Sequence, residues 1–552
     1  MPSIFRRKKI KDYQIYPDEI LLDSENIPKF DTQQFEGRLE RPISKRTFFA
    51  LSIILVIIAA IYLGQIAKLQ IINGRVFAER SQKNTLKREL FSPLRAVIVD
   101  RNGNRIAWND ENGKREYTDK PGFAHLLGHI GLPSQEDLSA NPNILRNIFV
   151  GKDGVEKAYE DVIRGNYGIK LIEVDSQNNI VSESVQLPPK KNDDFKLTID
   201  ADLQTEIFKA LELAAKNLGY QGGAGVIMDV NNGDLLALTS YPEYDLNSIE
   251  NSLKNQKNNP FLNRAISGLY IPGSIVKPFI ALAALKEGII SPQKQIYSSG
   301  SISLPNPYNP ELKNVFKDWK AHGWVDMKRA IAVSSDVYFY TIGGGYEDQR
   351  GLGIEKIESY AKIFGMNSKT GVDLPGEISG IIPNQSLKAK INPKDPTWRI
   401  GDTYNASIGQ GYFQVTPIEM VVYAAALANN GKLIEPHIAM DFKKQKEIQT
   451  IDIAKENFDI VKEAMLMAVK EGTATSLNIY GVNVAAKTGT AQTGKNNQFI
   501  NSWVIGFFPY ENPKYAFAVV TEKGPKESPA GAQYVMRQVL DWMTVYRPEY
   551  LK

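Results

Sequence analysis

Residues 47–67 carry no charge, and the apolar run that begins Phe48-Phe49-Ala50-Leu51-Ser52-Ile53-Ile54-Leu55 continues through Ile61, Tyr62 and Leu63. About twenty such residues cross a bilayer as one helix, so the pattern predicts a membrane span over residues 47–68. A buried globular helix would carry polar residues along one side, which this run lacks. A cleaved signal peptide would have a shorter apolar core nearer its start and a small-residue cleavage pattern after it. Here a polar segment of 46 residues precedes the run, and the expectation is an uncleaved anchor. Arg38, Arg41, Lys45 and Arg46 before the span nearly balance Lys68, Arg75 and Arg80 after it, and the cluster Arg6-Arg7-Lys8-Lys9 tips the orientation toward a cytoplasmic N-terminus.

Past the span the period changes. Arg95-Ala96-Val97-Ile98-Val99 and Arg105-Ile106-Ala107, joined through Asn102-Gly103, predict a β-hairpin. Residues 155–163 follow a helical pattern and residues 169–174 a strand pattern, so residues 69–195 read as a small α+β pedestal. At Phe195-Lys196-Leu197-Thr198-Ile199-Asp200 a strand runs into an amphipathic helix carrying Leu203, Ile207, Leu211 and Ala214, and a second domain, residues 196–552, is taken to start there. Apolar runs at residues 225–230 and 235–239 flank the turn Asn231-Asn232-Gly233-Asp234. Two more, at residues 502–508 and 515–520, precede a closing helix over residues 535–545. Continuous apolar runs suit strands covered on both faces, and strands from both ends of a domain around a helical middle imply an α+β fold: an antiparallel sheet with helices on both faces.

Composition narrows the classes. With 552 residues and 43% hydrophobic content the chain has material for two or three cores, and its net charge of +4 is small for that length. No basic stripe interleaved with aromatics gives a nucleic-acid partner support. Zero cysteines exclude a disulfide framework, a thiolate nucleophile and a cysteine metal site. The four histidines, His125, His129, His322 and His437, form no HExxH, and no GxSxG is present. Asp318 and His322 stand at helical spacing, but two residues without further ligands are better taken as a solvated pair, and neither a metal nor another cofactor is assigned.

Candidate chemistry resides in three segments in a fixed order: Ser274-Ile275-Val276-Lys277, Ser334-Ser335-Asp336 and Lys487-Thr488-Gly489-Thr490. Together they contain the parts of an acyl-serine enzyme that needs no histidine. Each part alone is weak. SxxK recurs at Ser291-Pro292-Gln293-Lys294 and Ser359-Tyr360-Ala361-Lys362, and KTG at Lys369-Thr370-Gly371. Ser291 lies in a predicted loop, Ser359 inside a helical pattern, and Lys369 in a Gly/Ser/Asn-rich loop. Ser274 follows Pro272-Gly273 and precedes an apolar helical run, with Pro278 allowed only in the first turn, which places it at a helix start as an N-cap. A plain N-cap is the commonest role for such a serine, so the order of all three segments decides. In the chemical reading Ser274 is the nucleophile, Lys277 takes its proton, and Lys487 is the second cation that lowers the basicity of a neighbouring lysine. Ser334 relays a proton and Asp336 orients the lysine or the substrate. Thr488 holds a carboxylate, Gly489 admits a ligand backbone, and the Thr490 N–H joins that of Ser274 in an oxyanion hole. For residues 334–336 a helix cap or turn explains the polar trio equally well.

With these segments the chain resembles a class B penicillin-binding protein of the elongation-specific penicillin-binding protein 2 type. Further support comes from Asp318-Trp319-Lys320, Asp336, Tyr338-Phe339-Tyr340, the stretch Trp398-Arg399-Ile400-Gly401-Asp402-Thr403-Tyr404-Asn405, then Ile408-Gly409-Gln410-Gly411, and the hairpin residues Asp100-Arg101-Asn102-Gly103. The resemblance implies a serine β-lactamase-like transpeptidase fold. It also implies a peptidoglycan D,D-transpeptidase in which Ser274 attacks the D-Ala-D-Ala end of a stem peptide, D-Ala leaves, and the amine of a neighbouring stem resolves the acyl-enzyme. β-Lactam antibiotics would acylate the same serine. The implied setting is the inner membrane, single-pass, with residues 1–46 cytoplasmic, the catalytic domain periplasmic, and a SEDS-type glycosyltransferase as partner in cell elongation and shape maintenance. Relatives carry a long insertion after the pedestal hairpin, whereas about twenty residues join Ala107 to His129 here. A reduced head follows, and with it weaker grounds for scaffold-protein contact. Alternatives are a division-type transpeptidase, a non-catalytic scaffold that activates a glycosyltransferase, a β-lactam sensor, for which the N-terminal segment is too short, and a stand-alone β-lactamase, for which no deacylating base is identified.

Overall fold

The computed structural model describes residues 44–141, 144–175, 179–254, 256–306, 309–440, 447–528 and 530–552, apart from the side chains of residues 80–85 and 310. The basic cluster at residues 6–9 and most of the expected cytoplasmic segment lie outside the described residues. The chain divides into two units, residues 1–87 with 173–181 and residues 88–172 with 182–552.

In the smaller unit, helix α1 (Lys45–Ala67) starts at Ser44, whose hydroxyl accepts a hydrogen bond from the Thr47 N–H. It runs on through a π turn, Lys68–Ile72, into a continuous 28-residue helix with a mean hydropathy of 2.5 in its most apolar stretch. At about 1.5 Å per residue it is long enough for a bilayer core. Its Leu, Ile and Phe side chains are exposed all round, which water would penalise and lipid would not.

The larger unit contains the hairpin β1 (Ile98–Val99) and β2 (Arg105–Asn109), which continues into β3 (Arg115–Tyr117). Gly103 turns the hairpin at φ +86°. The expected helix over residues 155–163 is instead two short helices, Gly154–Ala158 and Glu160–Arg164, broken at Tyr159. There a tertiary pull overrides local pattern: the Tyr159 hydroxyl donates to Asp373 and its ring packs on Phe195, with 4.6 Å between centroids. The core beside this break holds Glu156, fully buried and bonded by both Arg95 and Arg115.

Strand β4 (Phe195–Lys196) pairs in parallel with β1, so the expected division at 195/196 falls inside a strand that pairs with the pedestal hairpin. Asp200 caps the following helix α2 (Ala201–Leu218), accepting from the Asp202 and Leu203 N–H groups, and Gly219 ends it in the left-handed region. Strands β5 (Gly222–Asp229) and β6 (Leu235–Tyr241) form the expected hairpin. After them come helices α3 (Lys277–Lys286), α4 (Met327–Ala332), α5 (Asp336–Gly344) and α6 (Pro417–Ala428). Strands β7 (Ala485–Thr493), β8 (Phe499–Phe508) and β9 (Tyr515–Pro525) and helix α7 (Ala532–Tyr546) complete the chain.

The main sheet is antiparallel throughout in the order β6-β5-β9-β8-β7. Side chains alternate between its faces. Val504, Phe508, Phe517 and Val519 pack with α2 and α7, whereas Trp503, Ile505, Phe507, Ala516, Ala518 and Val520 join the core that contains α3 and α6. Both sets are apolar because both faces are covered, which is why the strands read as continuous hydrophobic runs. Strand β7, carrying the lysine motif, lies at the sheet edge.

Candidate active site

Pro272-Gly273-Ser274 does not place the serine as the N-cap that its surroundings suggest. Ser274 lies inside a 3-10 turn, Gly273–Val276, and α3 starts only at Lys277, with Pro278 in its first turn. A 3-10 turn has about three residues per turn, so positions i and i+3 eclipse, and the S-x-x-K spacing sets Lys277 directly behind Ser274. The Ser274 hydroxyl caps nothing: it is partly exposed and has no hydrogen-bond partner among the described residues.

Glycines allow the turn to sit where it does. Gly273, at φ +59°, donates its N–H to the Gly409 carbonyl, and a Cβ on it would stand 2.8 Å from the Thr490 carbonyl oxygen. Gly409, at φ +73°, faces it so closely that a Cβ would stand 2.2 Å from the Gly273 oxygen. Gly489 packs on the Pro272 carbonyl in the same way. Three remote backbones therefore meet where side chains would hold them apart. Gly409→Ala is expected to displace the serine turn, because neither partner is a flexible side chain. The cost should be about 1–3 kcal/mol of backbone strain, with penicillin acylation slowed by about 10²-fold or more. Thermal melting and acylation rates measure the two effects separately.

Ser334 and Ser335 occupy the turn between α4 and α5. Ser334 adopts φ +59°, which is unusual for a residue with a Cβ, while Ser335 caps α5 by accepting from the Tyr338 N–H. The cap and the chemical candidate are thus both present, on adjacent serines. Lys277 Nζ, fully buried, donates to Asp336 Oδ1 at 2.6 Å, to the Ser334 carbonyl at 2.8 Å and to Ser334 Oγ at 3.3 Å. It also lies 5.3 Å from the centre of the Phe339 ring. Lys487 Nζ, also fully buried, donates to the same Ser334 Oγ at 2.9 Å and to the Thr488 carbonyl at 2.8 Å. Burial pushes the Lys487 ammonium well below the ordinary lysine range, with Lys277 pushing the same way and Asp336 opposing. Ser334 is thus the hydroxyl shared by two lysines 210 positions apart in the numbering.

Of the remaining sequence candidates, Thr488 lies on β7 with its hydroxyl 2.7 Å from that of Thr473, Gly489 lies against the serine turn, and Thr490 is exposed at the sheet edge. Thr473 and Gln410, whose amide reaches the Thr490 carbonyl at 3.4 Å, were not singled out by sequence reasoning as site residues. Gln410 could have been found within Ile408-Gly409-Gln410-Gly411, whereas nothing near Thr473 signals its contact. The duplicate motifs stay away from this chemistry. Ser291 is in a loop, Ser359 is inside the helix Ile354–Ile363, and the second KTG is a loop in which Glu377 accepts from both the N–H and the hydroxyl of Thr370. Asp318 and His322 correct the expectation of a solvated helical pair. They lie between two strands with side chains 0% and 3% exposed, because Asp318 turns inward to accept hydrogen bonds from the α5 end.

Two family models match the chain: the penicillin-binding protein transpeptidase domain over residues 223–541 and the penicillin-binding protein dimerisation domain over residues 110–197. The peptidoglycan D,D-transpeptidase MrdA of Salmonella typhimurium is 32% identical over 469 residues, covering 77% of this chain and 72% of its own. Penicillin-binding protein PBP2 of Helicobacter pylori, solved in a complex with MreC, superposes with a TM-score of 0.71 at 27% identity, covering 83% of this chain and 98% of that one. Pseudomonas aeruginosa PBP2, solved with WCK 5153, gives 0.68 at 31% identity, covering 84% and 98%. The ordered motifs, the edge-strand lysine and these matches lead to one conclusion: the chain belongs to the penicillin-binding protein transpeptidase family.

Proposed function

We propose that the chain is a membrane-anchored peptidoglycan D,D-transpeptidase of the elongation type, with Ser274 as the acyl-accepting nucleophile. The observation that carries this is the meeting of Lys277, Ser334, Asp336 and Lys487, from three remote segments, behind a serine whose hydroxyl has no other structural use among the described residues.

Mechanistically, the Ser274 oxygen attacks the carbonyl between the two D-Ala residues of a donor stem. Its proton passes to Lys277, and the developing oxyanion is held by the Ser274 and Thr490 N–H groups. Collapse breaks the C–N bond, and the proton returns to the departing D-Ala amine through Ser334. An acceptor stem's amine then attacks the ester, loses its proton by the same route, and restores Ser274. Asp336 orients Lys277, and Thr488 and Gly489 on the free edge of β7 seat the donor. For Lys277 to take the proton its amine has to be neutral and its lone pair free of the Asp336 contact.

The similarity to MrdA and to PBP2 supports the elongation assignment. The 28-residue apolar helix supports an anchor at residues 47–68; the same proposal includes a tail (1–46), a pedestal (69–195) and a catalytic domain (196–552), with the N-terminus cytoplasmic and the catalytic domain periplasmic at the inner membrane. A SEDS-type glycosyltransferase is the proposed partner of anchor and pedestal. The test is mass spectrometry of the full chain after exposure to benzylpenicillin. One penicilloyl group on the peptide bearing Ser274 is the expected result, and no adduct, or an adduct elsewhere, would overturn the assignment. Cross-linking of lipid-linked substrate then separates the enzyme from a silent scaffold.

A further inference from the structure

Ser334 is held in a backbone conformation that costs free energy, at φ +59°, and the turn around it has to be clamped from outside. Three consecutive residues, Lys317, Asp318 and Trp319, supply such a clamp. The Lys317 carbonyl accepts from the Tyr340 hydroxyl at 3.2 Å. Asp318 Oδ2 accepts from the Ser335 hydroxyl at 2.8 Å, from the Val337 N–H at 3.0 Å and from the Ser298 hydroxyl at 3.2 Å, while Oδ1 accepts from the Trp319 N–H at 2.8 Å. The Trp319 indole N–H donates to the Val333 carbonyl at 3.2 Å. The segment is therefore bonded to residues 333, 335, 337 and 340, on both sides of the two groups, Ser334 and Asp336, that meet Lys277.

We propose that Asp318 is a positioning residue for the acyl transfer, fixing the Ser334–Asp336 turn against Lys277 through Ser335 and Val337. The inference rests on the assignment of Ser274, Lys277 and Ser334 to that transfer. A carboxylate suits this position because it accepts several hydrogen bonds at once where no water reaches. Burial raises its pKa, but the Val337 and Asp336 N–H groups and the Ser335 hydroxyl more than offset this and keep it ionised. Being charged and buried beside the α5 N-terminus, it also complements the helix dipole there.

The test is penicillin acylation of the full chain in detergent, resolved into a saturation constant and a limiting rate. Asp318→Asn keeps the shape but replaces one acceptor with a donor. The limiting rate is expected to fall by about 10²-fold, as for a small misplacement of catalytic groups, with the saturation constant nearly unchanged. Ser335→Ala, which also removes the α5 cap, should produce the same split, and the double variant should lose clearly less than the product of the two single losses, since the Asp318–Ser335 link is common to both. Multiplicative losses would overturn the proposal, as would an unchanged limiting rate. If Asp318→Asn does not fold, Trp319→Phe takes its place: the residue is 57% exposed, and the change removes the indole donor while keeping an aromatic ring beside His322. A several-fold lower limiting rate supports the clamp, and a wild-type rate overturns it. A wild-type chain that is never acylated would overturn the Ser274 assignment instead, so the two failures are distinguishable.

Discussion

A Ser274→Ala protein is expected to melt like the wild type and to take up no fluorescent penicillin. The hydroxyl is partly exposed and makes no hydrogen bond among the described residues, so its loss should change stability by no more than about 0.5 kcal/mol. The loss of function should be complete, because acylation forms a bond to that oxygen while the lactam C–N bond breaks, and alanine has no oxygen to form it. Ser334, the other candidate, is 7% exposed, with its oxygen already bonded to both amines. Labelling followed on a gel, beside a melting curve, checks both halves. Residual labelling at a rate comparable to wild type would move the nucleophile elsewhere.

Lys487→Met carries the second large effect, and it acts in opposite directions on activity and stability. Acylation should slow by about 10²–10⁴-fold, the usual weight of a proton-transfer partner, since Ser334 would lose the donor that orients its hydroxyl. Stability at neutral pH should rise. In the unfolded chain Lys487 titrates near the ordinary value of about 10.4, whereas in the folded chain burial and Lys277 hold its pKa well below this. Between those two values the unfolded chain binds a proton that the folded chain does not, so wild-type stability climbs as pH rises through that window, and below it the full penalty applies. Methionine has no such penalty. The variant should therefore have the higher Tm at pH 7, with the gap narrowing as pH approaches 10. A variant that melts lower at pH 7, by an amount independent of pH, would contradict this account of Lys487.

The sequence carried the chemistry further than it carried the geometry. The order of the three motifs selects Ser274 over Ser291 and Ser359, and Lys487 over Lys369, because helix starts, helix interiors, strands and loops differ in local pattern. The sheet strands were equally legible, since Val504 and Ile505 face different layers but both layers are apolar. Contacts between remote residues were not legible. The Gly273–Gly409 approach, the shared Ser334 hydroxyl and the Thr473–Thr488 pair join positions with no common period. The place of Asp318 is illegible for a related reason: its i, i+4 spacing to His322 suits a helix, while the backbone there turns between two strands. Positive φ at Ser334 leaves no trace in residue type, because glycine or asparagine would be the usual signal.

Strand β4 lies directly before the catalytic region yet completes the pedestal's hairpin sheet, and Asp100 from that hairpin also accepts the first N–H of α2, the helix that backs the catalytic sheet. The hairpin and the first turn of α2 are therefore joined by hydrogen bonds. A push or twist delivered to the hairpin would travel through those shared hydrogen bonds into α2 and so into the layer behind the strands, which a flexible tether between them would absorb instead.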